Sequence, residues 1–179
     1  MLEVSRFCQM AWVVDDLDAA VRQWRQTTGI GPFFMGAHIG GMITEMTHRG
    51  RPAAVDMSAA IAQAGPVLIE LIQQHDADPS PYRDVYAEGE SGLHHVQAFV
   101  DDVEAQCRNY QDLGFEVVMT GLVAGQTPVA YVDTRPMIGC MTELMAREGI
   151  AAQMYGAVAA VAADWDGSDP VRDMATLMS

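Results

Sequence analysis

The sequence predicts an α+β fold in which two repeated βαβββ modules form one cup-shaped mixed sheet, followed by a C-terminal helical extension. Three observations carry this. First, "CQMAWVVDDLDAA" from Cys8 and "HHVQAFVDDVEAQ" from His94 align without a gap at an offset of 86 (95 − 9), so that Val14 meets Val100, Asp15 meets Asp101, Asp16 meets Asp102 and Ala19 meets Ala105. Second, the apolar patterns after each run follow the same order: strand, helix, strand, strand, strand. Third, a glutamate interrupts the last apolar run of each module, Glu70 in "VLIELI" and Glu143 in "CMTELM". Agreement in residue type, periodicity and order together marks an internal repeat.

The first module spans about residues 6–75. Its opening strand alternates Gln9, Ala11 and Val13 with Met10, Trp12 and Val14. Asp16 is placed to cap a helix whose apolar stripe is Leu17, Val21 and Trp24, spaced i, i+4, i+7. "GPFFMGAHI", "PAAVDMSAAI" and "GPVLIELIQ" supply three further strands. The second module, about 91–147, repeats the pattern with Val103, Cys107 and Tyr110 on its helix and "GFEVVMTG", "TPVAYVDT" and "GCMTELMA" as strands. "HDADPSPYRDVYAEGESG" between them is rich in Pro, Gly and acids and reads as a linker. The main domain is thus 1–148, and 149–179 is a C-terminal helix and tail. Met154, Val158, Val161 and Trp165 form a helical stripe there, ended by "WDGSDP". Its simplest placement is on the outside of the sheet, with a lid over the cup or a dimer contact as alternatives. Phe33 and Phe34 read as core, and Tyr82 as a pocket rim.

Composition narrows the function classes. The 179 residues are 50% hydrophobic and 19% charged, ordinary for a globular domain. The net charge is −14 and all ten basic residues are arginine. An acidic surface opposes nucleic acid and anionic lipid, and a lysine-free chain excludes Schiff-base chemistry and a Walker A lysine. Arg49, Arg51, Arg83 and Arg135 remain for a substrate phosphate or carboxylate. Cys8, Cys107 and Cys140 form no C-x-x-C pair and read as thiols in a reducing cytoplasm. The start "MLEVSRFCQMAW" lacks the basic-then-apolar pattern of a signal peptide.

Adjacent histidines open the second module. Alternation along a strand sends neighbours to opposite faces, which places His94 with Val96, Ala98 and Val100 under the helix and His95 on the face that Gln9 occupies in the first module. His94 is then a packed or edge histidine satisfied by backbone. Glu70 and Glu143, each in an apolar strand, are costly to bury unless paired or bound to a cation. Gln9, Glu70, His95 and Glu143 thus form a pseudo-symmetric set. One imidazole and three oxygen groups suit a divalent cation with mixed N/O ligation. The alternative is a pair of edge glutamates with no common partner.

The paired modules, "VVDDLDAA", "GLHHVQAFVDD" and the glutamate in each last strand resemble the vicinal oxygen chelate superfamily across about residues 6–147. That superfamily includes glyoxalase I, methylmalonyl-CoA epimerase, extradiol dioxygenases and bleomycin- or fosfomycin-resistance proteins. The resemblance implies a divalent metal ion (Zn, Ni, Co, Mn or Fe) on Gln9, Glu70, His95 and Glu143, and a small-molecule substrate. Gln9 stands where many members have histidine; some eukaryotic-type glyoxalases I use glutamine there, so the set Gln, Glu, His, Glu is compatible with a metal, and it departs from the epimerase set of two histidines, one glutamine and one glutamate. The implied activity is that of a lyase, isomerase or epimerase acting by proton abstraction next to a carbonyl. Glu143 is the first choice of base, Glu70 the second, and Asp56 resembles the additional acid of epimerases. A homodimer is the expected assembly. The alternatives are a non-catalytic drug- or metabolite-binding protein and a ring-cleaving dioxygenase, whose iron needs two histidines and a carboxylate where this set has one histidine.

Overall fold

The computed structural model describes residues 7–178; the boundaries drawn at residues 1, 6 and 179 lie outside them. In chain order the first module holds β1 (Phe7–Val13), α1 (Leu17–Thr28), β2 (Phe33–Gly36), a 3-10 turn (Ile39–Met42), β3 (Ile43–His48), β4 (Arg51–Pro52), β5 (Met57–Ala64) and β6 (Val67–Gln74). The second holds β7 (Gly92–Val100), α2 (Val103–Asp112), β8 (Val117–Val123), β9 (Thr127–Val132), α3 (Arg135–Ile138) and β10 (Met141–Ala146). Then come α4 (Ile150–Ala163), β11 (Val171–Asp173) and a 3-10 turn (Met174–Met178).

One mixed sheet runs β11-β2-β5-β6-β1-β7-β10-β9-β8-β3-β4. The two opening strands, β1 and β7, pair antiparallel at its centre, and each lies parallel to the last strand of its own module. The register keeps the repeat. Gln9 faces Gln97 and Ala11 faces His95 across the centre. Gln9 lies beside Leu68 and Ala11 beside Glu70, while His95 lies beside Met141 and Gln97 beside Glu143. Adding 86 to the opening-strand numbers and 73 (143 − 70) to the last-strand numbers converts one set of pairs into the other. The modules are therefore related by a pseudo-twofold, whose axis runs between β1 and β7 within one chain.

The helices start where the sequence places them. The Asp16 carboxylate accepts from the Ala19 N–H and that of Asp102 from the Ala105 N–H, each at 2.8 Å. Such caps contribute about 1 kcal/mol each. Leu17 and Val21 pack with Phe33, Ala60 and Leu71, and Val103 and Cys107 with Val100, Ala130 and Leu144. These clusters fill one face of the sheet. The other face carries Ala11, Val13, Ile72, Met119, Tyr131 and Met141. Ile43 of β3, Val123 of β8 and Ile61 of β5 line one cavity there, so the sheet wraps around it.

Two features depart from the expected layout. β3 and β4, absent from the sequence reading, leave the first module and pair β3 with β8 of the second, extending the cup wall across the repeat. β3 is half-exposed and carries a register shift between Thr44 and Thr47, which erases the alternation that marks a strand. The C-terminal helix lies inside the cup rather than outside the sheet. Its Val158 packs on Phe34, Ile61 and Leu68, and its Ala151, Met154 and Tyr155 line the cavity. The stripe has the anticipated residues, but the sequence could not say which sheet face they meet. Gly149, at φ 141°, carries the chain into α4 where a Cβ would lie 2.2 Å from Thr127 Oγ1.

Candidate functional site

Strand alternation brings Gln9 on β1, Glu70 on β6, His95 on β7 and Glu143 on β10 to the cup face. Gln9 Nε2 donates to Glu70 Oε2 at 2.7 Å. His95 Nε2 stands 3.3 Å from Glu143 Oε2 and 3.7 Å from Glu70 Oε2. His95 is fully buried, and its Nε2 has no hydrogen-bond partner. The Tyr131 hydroxyl donates to the Glu143 carboxylate. All four side chains expected at the site are therefore together. Asp56 is not among them. It lies before β5, about half exposed, and its carboxylate meets His38 Nδ1 at 2.8 Å.

His94 corrects the alternation argument. The β1–β7 register passes from Ala11 opposite His95 to Trp12 opposite Leu93, leaving His94 as a bulge. The bulge swings His94 out of the helix-side row. Its ring packs edge-on against Tyr131, at 5.6 Å between centroids, and against Tyr82 at 5.1 Å. Both tyrosines line the cavity. His94 Nδ1 lies 2.9 Å from His95 Nδ1, and its Nε2 lies 2.9 Å from the Pro81 carbonyl oxygen. Backbone satisfaction was anticipated; the contact with His95 was not, because a bulge has no signature in residue type here. The linker is likewise more than a spacer, since Pro81 and the buried Tyr82 both meet the site.

Sequence reading also missed Tyr155 and Gln97. The Tyr155 hydroxyl of α4 stands 2.7 Å from Gln9 Oε1 and 2.5 Å from Gln97 Oε1. Its one proton serves one of these acceptors at a time. Gln97 is the repeat partner of Ala11, so the repeat itself gave no reason to single it out.

Burial controls the electrostatics. It raises the carboxyl groups of Glu70 and Glu143 to about 8. For Glu70 the Glu143 charge contributes to that rise after burial, while hydrogen bonds from Gln9 to Glu70 and from Tyr131 to Glu143 act in the opposite direction. Burial lowers His94 and His95 to about 3, so both rings are neutral. The cavity beside these groups is about 90 Å³ and is otherwise apolar, with Met42, Met57, Met145, Met154 and Met174 in its wall. That is small against the several hundred Å³ of ordinary ligand pockets, because α4 occupies part of the cup.

Among the described residues, no three His, Cys, Asp or Glu side chains form a ready-made metal-binding group. The donors are instead drawn onto one another, with the Gln9 nitrogen on Glu70 and its oxygen towards Tyr155. The chemistry of the set nonetheless fits a divalent cation. An unpartnered buried imidazole nitrogen faces two carboxylates that, among the described residues, no arginine pairs, and an amide oxygen adjoins them.

Residues 8–131 match the family model described as Glyoxalase/Bleomycin resistance protein/Dioxygenase superfamily. No curated protein matches the chain. Among solved structures, the chain is similar to hypothetical protein BH1468 from Bacillus halodurans C-125, at 14% identity and a TM-score of 0.57, over 83% of this chain and 98% of that one. It is also similar to methylmalonyl-CoA epimerase from Mycobacterium tuberculosis, at 16% identity and a TM-score of 0.53, over 85% and 96%. A variant of Streptomyces coelicolor methylmalonyl-CoA epimerase in complex with 2-nitronate-propionyl-CoA matches at 18% identity and a TM-score of 0.52, over 80% and 98%. At such identities the likeness extends to the fold, a mixed α+β sheet of the vicinal oxygen chelate type. With the family model matching more than half its length, the chain belongs to the glyoxalase/bleomycin resistance protein/dioxygenase superfamily.

Proposed function

We propose that this protein is a metal-dependent lyase or isomerase, epimerases included, that moves a proton at the carbon beside a carbonyl of a small molecule. The observation that carries this is the buried, unpartnered His95 Nε2 set between Glu70 and Glu143. Gln9, Glu70, His95 and Glu143 would hold the divalent ion. When bound, such an ion supplies Lewis-acid polarisation of a carbonyl oxygen. Glu143 takes the proton and returns it, at the same carbon or its neighbour. Tyr131, hydrogen-bonded to Glu143, orients that carboxylate. The methionine-rich wall, with Ile39, Ile43 and Ile61, excludes water from the reacting carbon. The small cavity favours compact substrates, and α4 must yield to admit larger ones. The reading extends to a cytoplasmic homodimer, which sedimentation of the purified protein checks.

A binding-protein reading has one observation in its favour: a cavity walled by five methionines, side chains that adapt to varied apolar ligands. One experiment separates the two. Purified protein is analysed for bound metal, then incubated in D₂O with 2-oxo acids, hemithioacetals and acyl thioesters. The enzyme reading expects a stoichiometric divalent ion and deuterium at the carbonyl-adjacent carbon of one class. Metal-free protein that exchanges none of them, before or after addition of Zn²⁺, Ni²⁺, Co²⁺, Mn²⁺ or Fe²⁺, would overturn it in favour of the binder.

A further inference from the structure

We propose that His94 is a positioning residue whose ring fixes the tautomer of His95, so that a Pro81–His94–His95 relay presents the His95 Nε2 lone pair to the site. This rests on the reading of His95 as a metal ligand, which it deepens. The argument starts at the carbonyl end. The Pro81 oxygen can only accept, so the nitrogen 2.9 Å away, His94 Nε2, carries a hydrogen. His94 is fully buried with no carboxylate on its ring, and a neutral imidazole has one N–H only. Its Nδ1 is then an acceptor. The 2.9 Å contact between the two Nδ1 atoms needs one proton, which has to come from His95. With its hydrogen at Nδ1, neutral His95 is left with a lone pair at Nε2, the atom that faces Glu70 and Glu143.

The fold holds this chain of contacts at each link. The bulge at His94 puts two adjacent histidines on one side of β7, where regular alternation would separate them. The two rings stand at 89° to each other, which directs one Nδ1 at the other. Tyr82 and Tyr131 pack against the His94 ring and limit its rotation. Pro81 is anchored by its neighbours, since the buried Ser80 hydroxyl donates to Gln74 Oε1 at 2.6 Å. Metal-binding histidines generally have the second ring nitrogen hydrogen-bonded, and loss of that partner weakens binding 10- to 100-fold. Here the partner is a second histidine, itself oriented by a backbone carbonyl.

The test uses the full chain, metal-free and ¹⁵N-labelled at histidine, with long-range ¹H–¹⁵N spectra to read each ring's tautomer at neutral pH. The wild type should show His94 protonated at Nε2 and His95 at Nδ1. His94→Phe keeps an aromatic ring but removes the acceptor, and should release His95 towards the Nε2–H form. His94→Asn places an amide oxygen near the former Nδ1 and should restore the Nδ1–H form without the Pro81 bond. Zn²⁺ and Co²⁺ titrations should show a 10- to 100-fold loss in His94→Phe, largely regained in His94→Asn. His95 protonated at Nε2 in the wild type, or at Nδ1 unchanged in a folded His94→Phe, overturns the proposal. The wild-type spectrum decides even where a variant fails to fold. A wild type with the expected tautomers that binds neither ion supports the relay and removes the metal reading.

Discussion

The hydroxyl of Tyr155 stands 2.7 Å from Gln9 Oε1, joining residues 146 apart in sequence and tying α4 to the opening strand of the fold. The contact engages the only oxygen Gln9 could offer a cation, while the Gln9 nitrogen is held by Glu70. When Tyr155 donates to Gln9 rather than to Gln97, the C-terminal helix holds the oxygen that the proposed metal site would take from Gln9.

Removing that contact should strengthen metal binding. A hydrogen bond of this kind contributes about 1 kcal/mol net, so Tyr155→Phe should tighten Zn²⁺ or Co²⁺ binding by about fivefold, read by isothermal titration. Weaker binding in Tyr155→Phe would instead show that Tyr155 supports the loaded site.

The two helix caps offer a test of the repeat in stability. Asp16→Ala and Asp102→Ala each remove a carboxylate that accepts the N–H three residues on. Each should cost about 1 kcal/mol in denaturant unfolding. The sites share no partner, so the double variant should lose the sum to within about 0.5 kcal/mol. A marked excess would reveal coupling between the modules through the sheet.

What was legible in the sequence is what periodicity and repetition encode. Residue type fixed the alternation of Gln9, Ala11 and Val13, the caps at Asp16 and Asp102, and the equivalence of Glu70 with Glu143, and the register across β1, β6, β7 and β10 follows the same offsets. The missing parts depend on tertiary geometry. The bulge at His94 arises from how β7 fits β1, not from glycine or proline, so alternation separated two histidines that share one side. β3 crosses to the other module, a pairing that no local pattern specifies. The α4 stripe was visible, but its position inside the cup depends on the space that the two modules leave. Asp56 was chosen by context alone, and its side chain turns to His38 at the surface.

Stability of the metal-free protein should depend on pH in a way that reports the buried groups. The histidine pair is lowered from an ordinary 6.5 to about 3, so its contribution is present above 6.5 and is lost as pH falls towards 3. The carboxyl pair is raised from an ordinary 4.5 to about 8, so its contribution is present below 4.5 and is lost as pH rises towards 8. Between these ordinary values the two trends oppose each other. The melting temperature should be nearly level from about pH 4.5 to 6.5 and fall on either side. Saturating Zn²⁺ should remove the alkaline fall, because a bound ion favours the ionised carboxylates. A melting temperature that rises between pH 6.5 and 8 without metal would mean that Glu70 and Glu143 are already ionised.

Glu70 and Glu143 are related by the repeat but differ in their neighbours, and their glutamine variants should differ accordingly. Glu70 is tied to Gln9, a ligand candidate, and its side chain is 18% exposed. Glu143 is 7% exposed, is nearer His95 and accepts from Tyr131. Each Glu→Gln change keeps size and one oxygen but removes the proton acceptor. Glu143→Gln should keep part of its metal and lose about 10²-fold or more in deuterium exchange, as expected for loss of a general base. Glu70→Gln should weaken metal binding first and recover much of its exchange rate at saturating metal. Elemental analysis and exchange measured on the same samples separate the two effects. Exchange at the wild-type rate in metal-loaded Glu143→Gln would move the base to Glu70, which shares the cavity with Glu143, ahead of Asp56, whose carboxylate pairs with His38.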